Sequence, residues 1–263
     1  MWERQVKANL YSVKIVIYRP DMARKSNPAR TRRATSTAVP ARGRKPAATK
    51  PSAASASTPY HHGALRDALL QAAERVLERD GLSGLTLRAV AREAGVSHAA
   101  PTHHFGDLTG LVSELAAIGF RQFNTAMKEA GAADTSPIHK VMARAKAYVA
   151  YAEAHPGMYG LMFRTERLDY SRPSLHEAAE ASFAGLAGSI GASRQEEIHQ
   201  EALSLDQAAA IARAWSLVHG FTMLLLDGRL KDILHRLPDG TDAEILLDAM
   251  LRSTVGKPTG CKN

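Results

Sequence analysis

Between Gly95 and Gly106 runs a short polar stretch, VSHAAPTHHF, in which Ser97, His98, Thr102, His103 and His104 concentrate hydroxyl and imidazole groups. Such groups can hydrogen-bond base edges and phosphates in the major groove of DNA. The same histidines could instead hold a metal ion, but their spacing argues against it. His98 and His103 stand five apart rather than on the single helical face of a His-x3-His pair, and no carboxylate pair accompanies them. The chain also has no nucleophile elbow and no glycine-rich phosphate loop. An enzyme is therefore not expected, and neither is a cofactor or a metal site.

The elements that must position these groups are legible around them. Across Thr86 to Phe105, TLRAVAREAGVSHAAPTHHF, the spacing predicts two short helices held at a sharp angle, a helix-turn-helix. Leu87, Val90, Ala91 and Ala94 fall on one face, Arg88, Arg92 and Glu93 point outward, and Thr86 stands at the N-cap. Gly95 supplies the turn, Val96 tucks inward, Ser97 is expected to cap the second helix, and Phe105 returns to the core. A preceding helix places Leu65, Ala68, Leu69, Ala72, Val76 and Leu77 inward and stops at Asp80-Gly81. A following one should start at Asp107 and carry Leu111, Leu115, Ile118 and Phe123 towards Gly131.

This order of segments, ALRDALLQAAERVLERDG, TLRAVAREAGVS, HHF and GDLTGLVSELAAIGF, resembles the tetracycline-repressor (TetR) family of bacterial transcriptional regulators. The likeness covers roughly sixty contiguous residues, far more than an isolated helix-turn-helix match. It implies an all-α chain, with a three-helix DNA-binding domain followed by a larger helical ligand-binding and dimerisation domain. The candidate DNA contacts are Thr86, Arg88, Ser97, His98, Ala99, Thr102, His103 and His104. Where this chain has Pro101 and Thr102 the family has an aliphatic residue and a tyrosine, so the tyrosine's phosphate contact does not carry over. Pro101 is expected about four residues into the recognition helix, where it would remove a backbone bond.

Composition bounds the remainder. Abundant alanine, few aromatics and no alternating strand pattern favour helices throughout. The single cysteine, Cys261, leaves no intramolecular disulfide or cysteine-based metal site, which fits a cytoplasmic, nucleoid-associated protein. No apolar run is expected to reach the roughly 20 residues that span a bilayer.

The net charge of +8 is unevenly placed. Residues 1–60 carry 13 Lys and Arg against 2 acidic residues (+11), leaving 21 against 24 (−3) for residues 61–263. The basic character therefore belongs to an N-terminal arm, and the helix-turn-helix must stand on its pattern alone. Residues 1–59 are expected to be disordered, with Met22, at the head of MARKSNPARTRR, as the expected translation start. Within the arm, ARGRKP resembles an AT-hook, whose Arg42, Gly43 and Arg44 would suit a narrow minor groove. The blander reading is a solvated linker with non-specific phosphate affinity. An architectural DNA-binding protein acting through this arm is the alternative function, but it would leave the folded part without a role.

The expected domains are residues 1–59 as the arm, 60–124 for DNA binding and 125–256 for regulation and dimerisation. In the last, Ser136-Pro137 opens a helix that His155-Pro156-Gly157 stops, and a further helix spans Ser174 to about Ile190, with Gly188 and Gly191 at its fraying end. Capping boxes at Ser204–Gln207 and Thr241–Glu244 open two more helices. The first of these is apolar nearly all round and should be covered on both sides. HPGMYGLMF and AWSLVHGF resemble the branch of the family named for its Trp-His-Gly domain, with Trp215, His219 and Gly220 on the motif. The resemblance implies a homodimer through the last two helices, a double-stranded DNA operator and a small-molecule effector, with no membrane. Tyr148, Met158, Tyr159, Met162, Phe163, Phe183, Trp215 and His219 are the candidate effector pocket, although each could equally be ordinary core.

Overall fold

Glycine and proline set most of the helix boundaries. In a computed structural model that describes residues 62–132, 135–163 and 165–255, α1 (His62–Gly84) runs regularly to Asp80 and breaks at Gly81, whose φ of 68° is open to glycine. One further turn follows before α2 (Leu87–Glu93), whose N-cap Thr86 accepts a hydrogen bond from the Ala89 N–H at 3.1 Å. Gly95, at φ 67°, turns the chain towards α3 (Ala100–Phe105). Gly106 then leads into α4 (Leu108–Ala132), where the Asp107 carboxylate accepts from Gly110 N–H at 2.7 Å.

The second half comprises α5 (Pro137–Ala154), α6 (Pro156–Met162), a 3-10 turn (Thr165–Arg167), α7 (Pro173–Arg194), α8 (Leu205–Leu226), α9 (Lys231–Leu234) and α10 (Ala243–Val255). The described residues hold no β-strand. Pro137, Pro156 and Pro173 all sit in first turns, where a missing N–H costs nothing. The His155-Pro156-Gly157 stop is thus also the start of α6.

α4 is the hub, packing against α1, α5, α6 and α7. Its Leu111 and Leu115 are 0% exposed, each worth roughly 1.5–3 kcal/mol of burial. One hydrophobic cluster extends without a break from Leu69 in α1 to Leu251 in α10. A smaller one, around Ala187, Ile190, Ala210 and Ile211, joins α7 to α8.

Several expectations need correction. Ala68 is exposed, and Leu70 and Ala73 take the inward places, because the buried face of α1 is rotated slightly from the expected one. α7 does not fray at Gly188 or Gly191; it continues to Arg194 and ends at Gln195, which adopts the left-handed conformation. Gly191 is buried where a Cβ would meet the Glu196 carbonyl at 2.7 Å, so its smallness serves packing. The Ser204–Gln207 capping box is present, whereas α10 is capped by Asp242, whose carboxylate accepts from Ile245 N–H at 2.8 Å. The N-cap therefore falls one residue later than expected, on a carboxylate that accepts from the N3 N–H.

α8, 22 residues long, is apolar enough by length and composition to cross a membrane, contrary to expectation. The leucine-rich second half outweighs Asp206 and Arg213 when the whole helix is considered. Its Ala210, Ile211, Val218, Phe221 and Thr222 face the protein core, while Met223 and Leu224 remain 41% and 43% exposed. Within one chain it is covered on one side only. The arm, with Arg42, Gly43, Arg44 and Met22, lies outside the described residues.

Candidate nucleic-acid interface and aromatic centre

α3 is only six residues long, so its placement depends on anchors at both ends. Phe105 is 3% exposed, and Pro101 is buried on the inner side. Outward lie Ser97, His98, Ala99, Thr102 and His103, all exposed, with His104 partly covered and its ring 5.3 Å from that of His103. Ser97 does not cap the helix through its side chain; its carbonyl accepts from Ala100 N–H at 3.0 Å, and Ala99 is the N-cap residue. The helix therefore starts later than expected, and Pro101 falls in its first turn. There its N–H would have no intrahelical acceptor, so the proline costs no backbone bond.

The charges around α3 are sorted between paired and exposed. Glu93 accepts from Arg75 and Arg79, both at 2.9 Å, and these hydrogen bonds hold its carboxyl below the usual range. Arg79 also binds Asp80 at 3.0 Å, so α1 and α2 are clamped by their own ions. Arg88 and Arg92, exposed on α2, have no ion pair among the described residues. From Glu93 to Phe120 the chain has no Lys or Arg, so no permanent cation stands on α3 itself. Thr86 has its oxygen committed to capping but keeps a hydroxyl proton to donate.

The second site is built where α5, α6 and α8 meet. Tyr148 and Tyr159 place their hydroxyls 2.9 and 2.8 Å from Nδ1 of His219, and 3.2 Å from each other. A neutral ring protonated on Nε2 accommodates this triangle: one tyrosine donates to Nδ1 and the other to the first tyrosine's oxygen. Burial lowers the pKa of His219. Burial also pushes Tyr148 up to about 12, partly offset by hydrogen bonds with Tyr159 and Trp215, and raises Tyr159 still further, with Tyr148 adding to the effect. The cluster is therefore polar but uncharged near neutral pH.

Aromatic side chains close around it. Phe163 lies 4.9 Å from the His219 ring and 4.8 Å from that of Tyr159, Trp215 lies 6.0 Å from His219, and Phe123 lies 5.0 Å from Tyr148. Met158 and Met162 sit behind, pressed on α4 at Gly119, where a Cβ would come within 2.7 Å of Met158. Phe183 is not part of this group; α7 carries it into the smaller cluster beside Ile190 and Ile211. Phe123, expected inward on α4 but not as a member of this centre, has the spacing of an ordinary core residue. Among the described residues no group of three or more His, Cys, Asp or Glu is placed to hold a metal ion.

α6 links the two sites. Its N-terminal Met158 N–H donates to the Glu78 carboxylate of α1 at 3.3 Å, and a Cβ on Gly157 would stand 3.1 Å from the Leu77 carbonyl. The next residue is Tyr159 of the triangle.

A helix-turn-helix with an exposed polar second helix, joined to a helical domain with its own polar centre, defines a DNA-binding regulator. Residues 69–115 match the model of bacterial regulatory proteins of the tetR family, and residues 141–254 match the tetracyclin repressor-like C-terminal domain. The chain belongs to the TetR family of transcriptional regulators. It is 26% identical over 194 residues to an uncharacterized HTH-type transcriptional regulator of Mycobacterium tuberculosis, covering 73% of this chain and 80% of that protein. A solved protein of unknown function from Rhodococcus sp. RHA1 is 32% identical, with a TM-score of 0.60 over 75% of this chain and 96% of that one. FadR from Bacillus subtilis, solved in complex with stearoyl-CoA, shares the fold at 16% identity, with a TM-score of 0.51 over 71% of this chain and 95% of that one.

Proposed function

We propose that the protein is a ligand-responsive homodimeric repressor, in which residues 60–124 read a pseudo-palindromic operator and residues 125–256 sense a small, mainly apolar effector and dimerise. The observation that carries the sensing role is the uncharged Tyr148–Tyr159–His219 triangle inside a shell of aromatic rings, one residue along α6 from its contact with α1. Such a centre suits a molecule with an apolar body and one hydrogen-bonding group, which would exchange places with one edge of the triangle. FadR from Bacillus subtilis, a regulator of the same fold, was solved with stearoyl-CoA, a ligand with a long apolar chain. Moving Tyr159 would carry Met158 and Gly157 with it, and so shift α1 and α4 together. The effector acts only to the extent that it binds the shifted state better than the DNA-binding one.

Dimerisation is supported by the outer apolar side chains Met223 and Leu224 on α8 and Ile245 on α10, the last 52% exposed. Pairing these helices with their copies gives a four-helix bundle, and two recognition helices about 34 Å apart meet successive major grooves. The test is footprinting of the full chain on DNA flanking its own gene at several salt concentrations, with the mass of the complex measured in parallel. Two protected half-sites about one helical turn apart and two chains per site are expected. A monomer on DNA, or protection without any repeat, would refute the dimeric operator reading. Added compounds that release the protein should fail to do so in a Tyr159→Phe, His219→Leu variant that still binds the operator.

A further inference from the structure

The recognition helix is held from an unexpected direction. Arg172, the N-cap residue of α7, reaches back 67 residues in sequence to donate Nη2–H to the Phe105 carbonyl at 3.3 Å. That carbonyl belongs to the last turn of α3, where helix carbonyls lack intrahelical partners and a cation is favoured by the helix dipole. The Arg172 Nη1 also lies 3.9 Å from Glu114 of α4, and Glu114 pairs at 2.6 Å with Arg66 of α1. The Arg66 guanidinium sits 5.4 Å above the Phe105 ring. Phe105 is thus bracketed, ring by Arg66 and carbonyl by Arg172, with one carboxylate shared between the two cations. Gly110 makes the approach possible: a Cβ there would stand 2.0 Å from the Phe105 carbonyl oxygen and 2.5 Å from Arg172 Nη2.

The segment before Arg172 is tied down as well. Asp169 N–H donates to the buried Ser113 hydroxyl of α4 at 2.9 Å, and Arg167 Nη1 donates to the Leu82 carbonyl in the last turn of α1 at 3.3 Å. The 167–172 segment therefore spans from α1 across α4 to the end of α3.

We propose that Arg172 is a positioning residue for operator recognition, which sets the orientation of α3 from the regulatory half through the Phe105 carbonyl and the Glu114 carboxylate, without touching DNA. This rests on α3 being the recognition helix. A six-residue helix has too few internal bonds to hold its own direction, so a guanidinium bond at its end governs where the exposed His98, Thr102 and His103 point. Because Arg172 opens α7, a shift of the regulatory helices reaches α3 directly, in parallel with any movement of α4.

The experiment compares full-length protein with Arg172→Gln, Arg172→Lys and Glu114→Gln, using an operator obtained by in vitro selection with the parent chain and a scrambled duplex of equal length. Arg172→Gln is expected to lose roughly tenfold or more in operator affinity, with affinity for the scrambled duplex and the salt slope unchanged. Amide exchange should quicken over residues 99–110 and stay unchanged over 205–226. Arg172→Lys should recover part of the loss, and Glu114→Gln should reproduce part of it. If the Gln variant does not fold, Arg172→Lys and Glu114→Gln decide the matter. Unchanged operator affinity with unchanged exchange overturns the proposal. Equal loss on both duplexes, with the salt slope reduced by about one, also overturns it and makes Arg172 a phosphate contact. A parent chain that selects no sequence removes the recognition reading itself and the positioning role with it; a parent that selects one while Arg172→Gln binds it equally well removes the positioning role alone.

Discussion

His103 and His219 are the same side chain in opposite surroundings. His103 stands exposed on a six-residue helix, while His219 lies half-buried on α8 with two tyrosine hydroxyls within hydrogen-bond distance of Nδ1. What differs is the environment each helix provides. α3 is too short to bury more than Phe105 and Pro101, so its polar groups stay available to a partner. α8 is long and apolar, so its one imidazole must find partners inside. A histidine on the first surface is open to a partner; one in the second is held by its neighbours inside the fold.

The contrast predicts a graded set of outcomes. The largest belongs to the buried centre: Tyr159→Ala should lower stability by about 3–5 kcal/mol in urea unfolding. Tyr159→Phe, which loses only the hydroxyl, should cost about 1–2 kcal/mol. Equal effects from the two would mean that the triangle, rather than the ring packing, dominates. Gly119→Val should cost about 1–3 kcal/mol, because its side chain enters space held by Met158 and Met162. At the exposed site, His98→Ala and His103→Ala should leave the urea midpoint within about 0.5 kcal/mol of the parent. Each should reduce discrimination between operator and scrambled DNA by about 1–3 kcal/mol if it reads a base. A stability loss in either would break the comparison.

The smallest effect concerns pH. Since burial lowers the pKa of His219 in the folded protein, the unfolded chain takes up a proton first as the pH falls. The contribution of His219 is present in full above the ordinary imidazole value of about 6.5 and is lost progressively below it. Urea midpoints measured from pH 8 to pH 5 should fall more steeply for the parent than for His219→Leu. Parallel curves would show that the ring is not desolvated.

Local signals carried much of the fold. The Ser204–Gln207 box and the apolar run after it located α8, and Asp80-Gly81 located the break in α1. They failed where a boundary depended on the neighbouring fold: Ser97 looked like a cap, yet the chain makes a further turn before α3, which moves Pro101 to a harmless place. Gly188 and Gly191 looked like a helix end because glycine usually weakens helices, but packing at Gly191 keeps α7 intact. The members of the aromatic centre could be named from residue type, but not their arrangement. Tyr148 and His219 meet across 71 residues, a separation no periodicity encodes, and Phe183 shares the same residue type without sharing the site. The Arg172 bond to Phe105 is similarly invisible, since nothing in RPSLHE marks its arginine as different from any surface arginine.

The uninterrupted core from Leu69 to Leu251 bears on how such a molecule can be rebuilt by recombination. A DNA-binding end cut out after α4 and grafted onto another helical domain would carry Gly119 without the two methionines shaped to it, Glu78 without the N–H that it accepts, and the Phe105 carbonyl without the Arg172 guanidinium. Interchangeable parts require a seam, and this chain has none at the place where its two tasks divide. If the aromatic centre senses an effector as proposed, new specificity is more readily acquired by altering its lining than by trading whole halves.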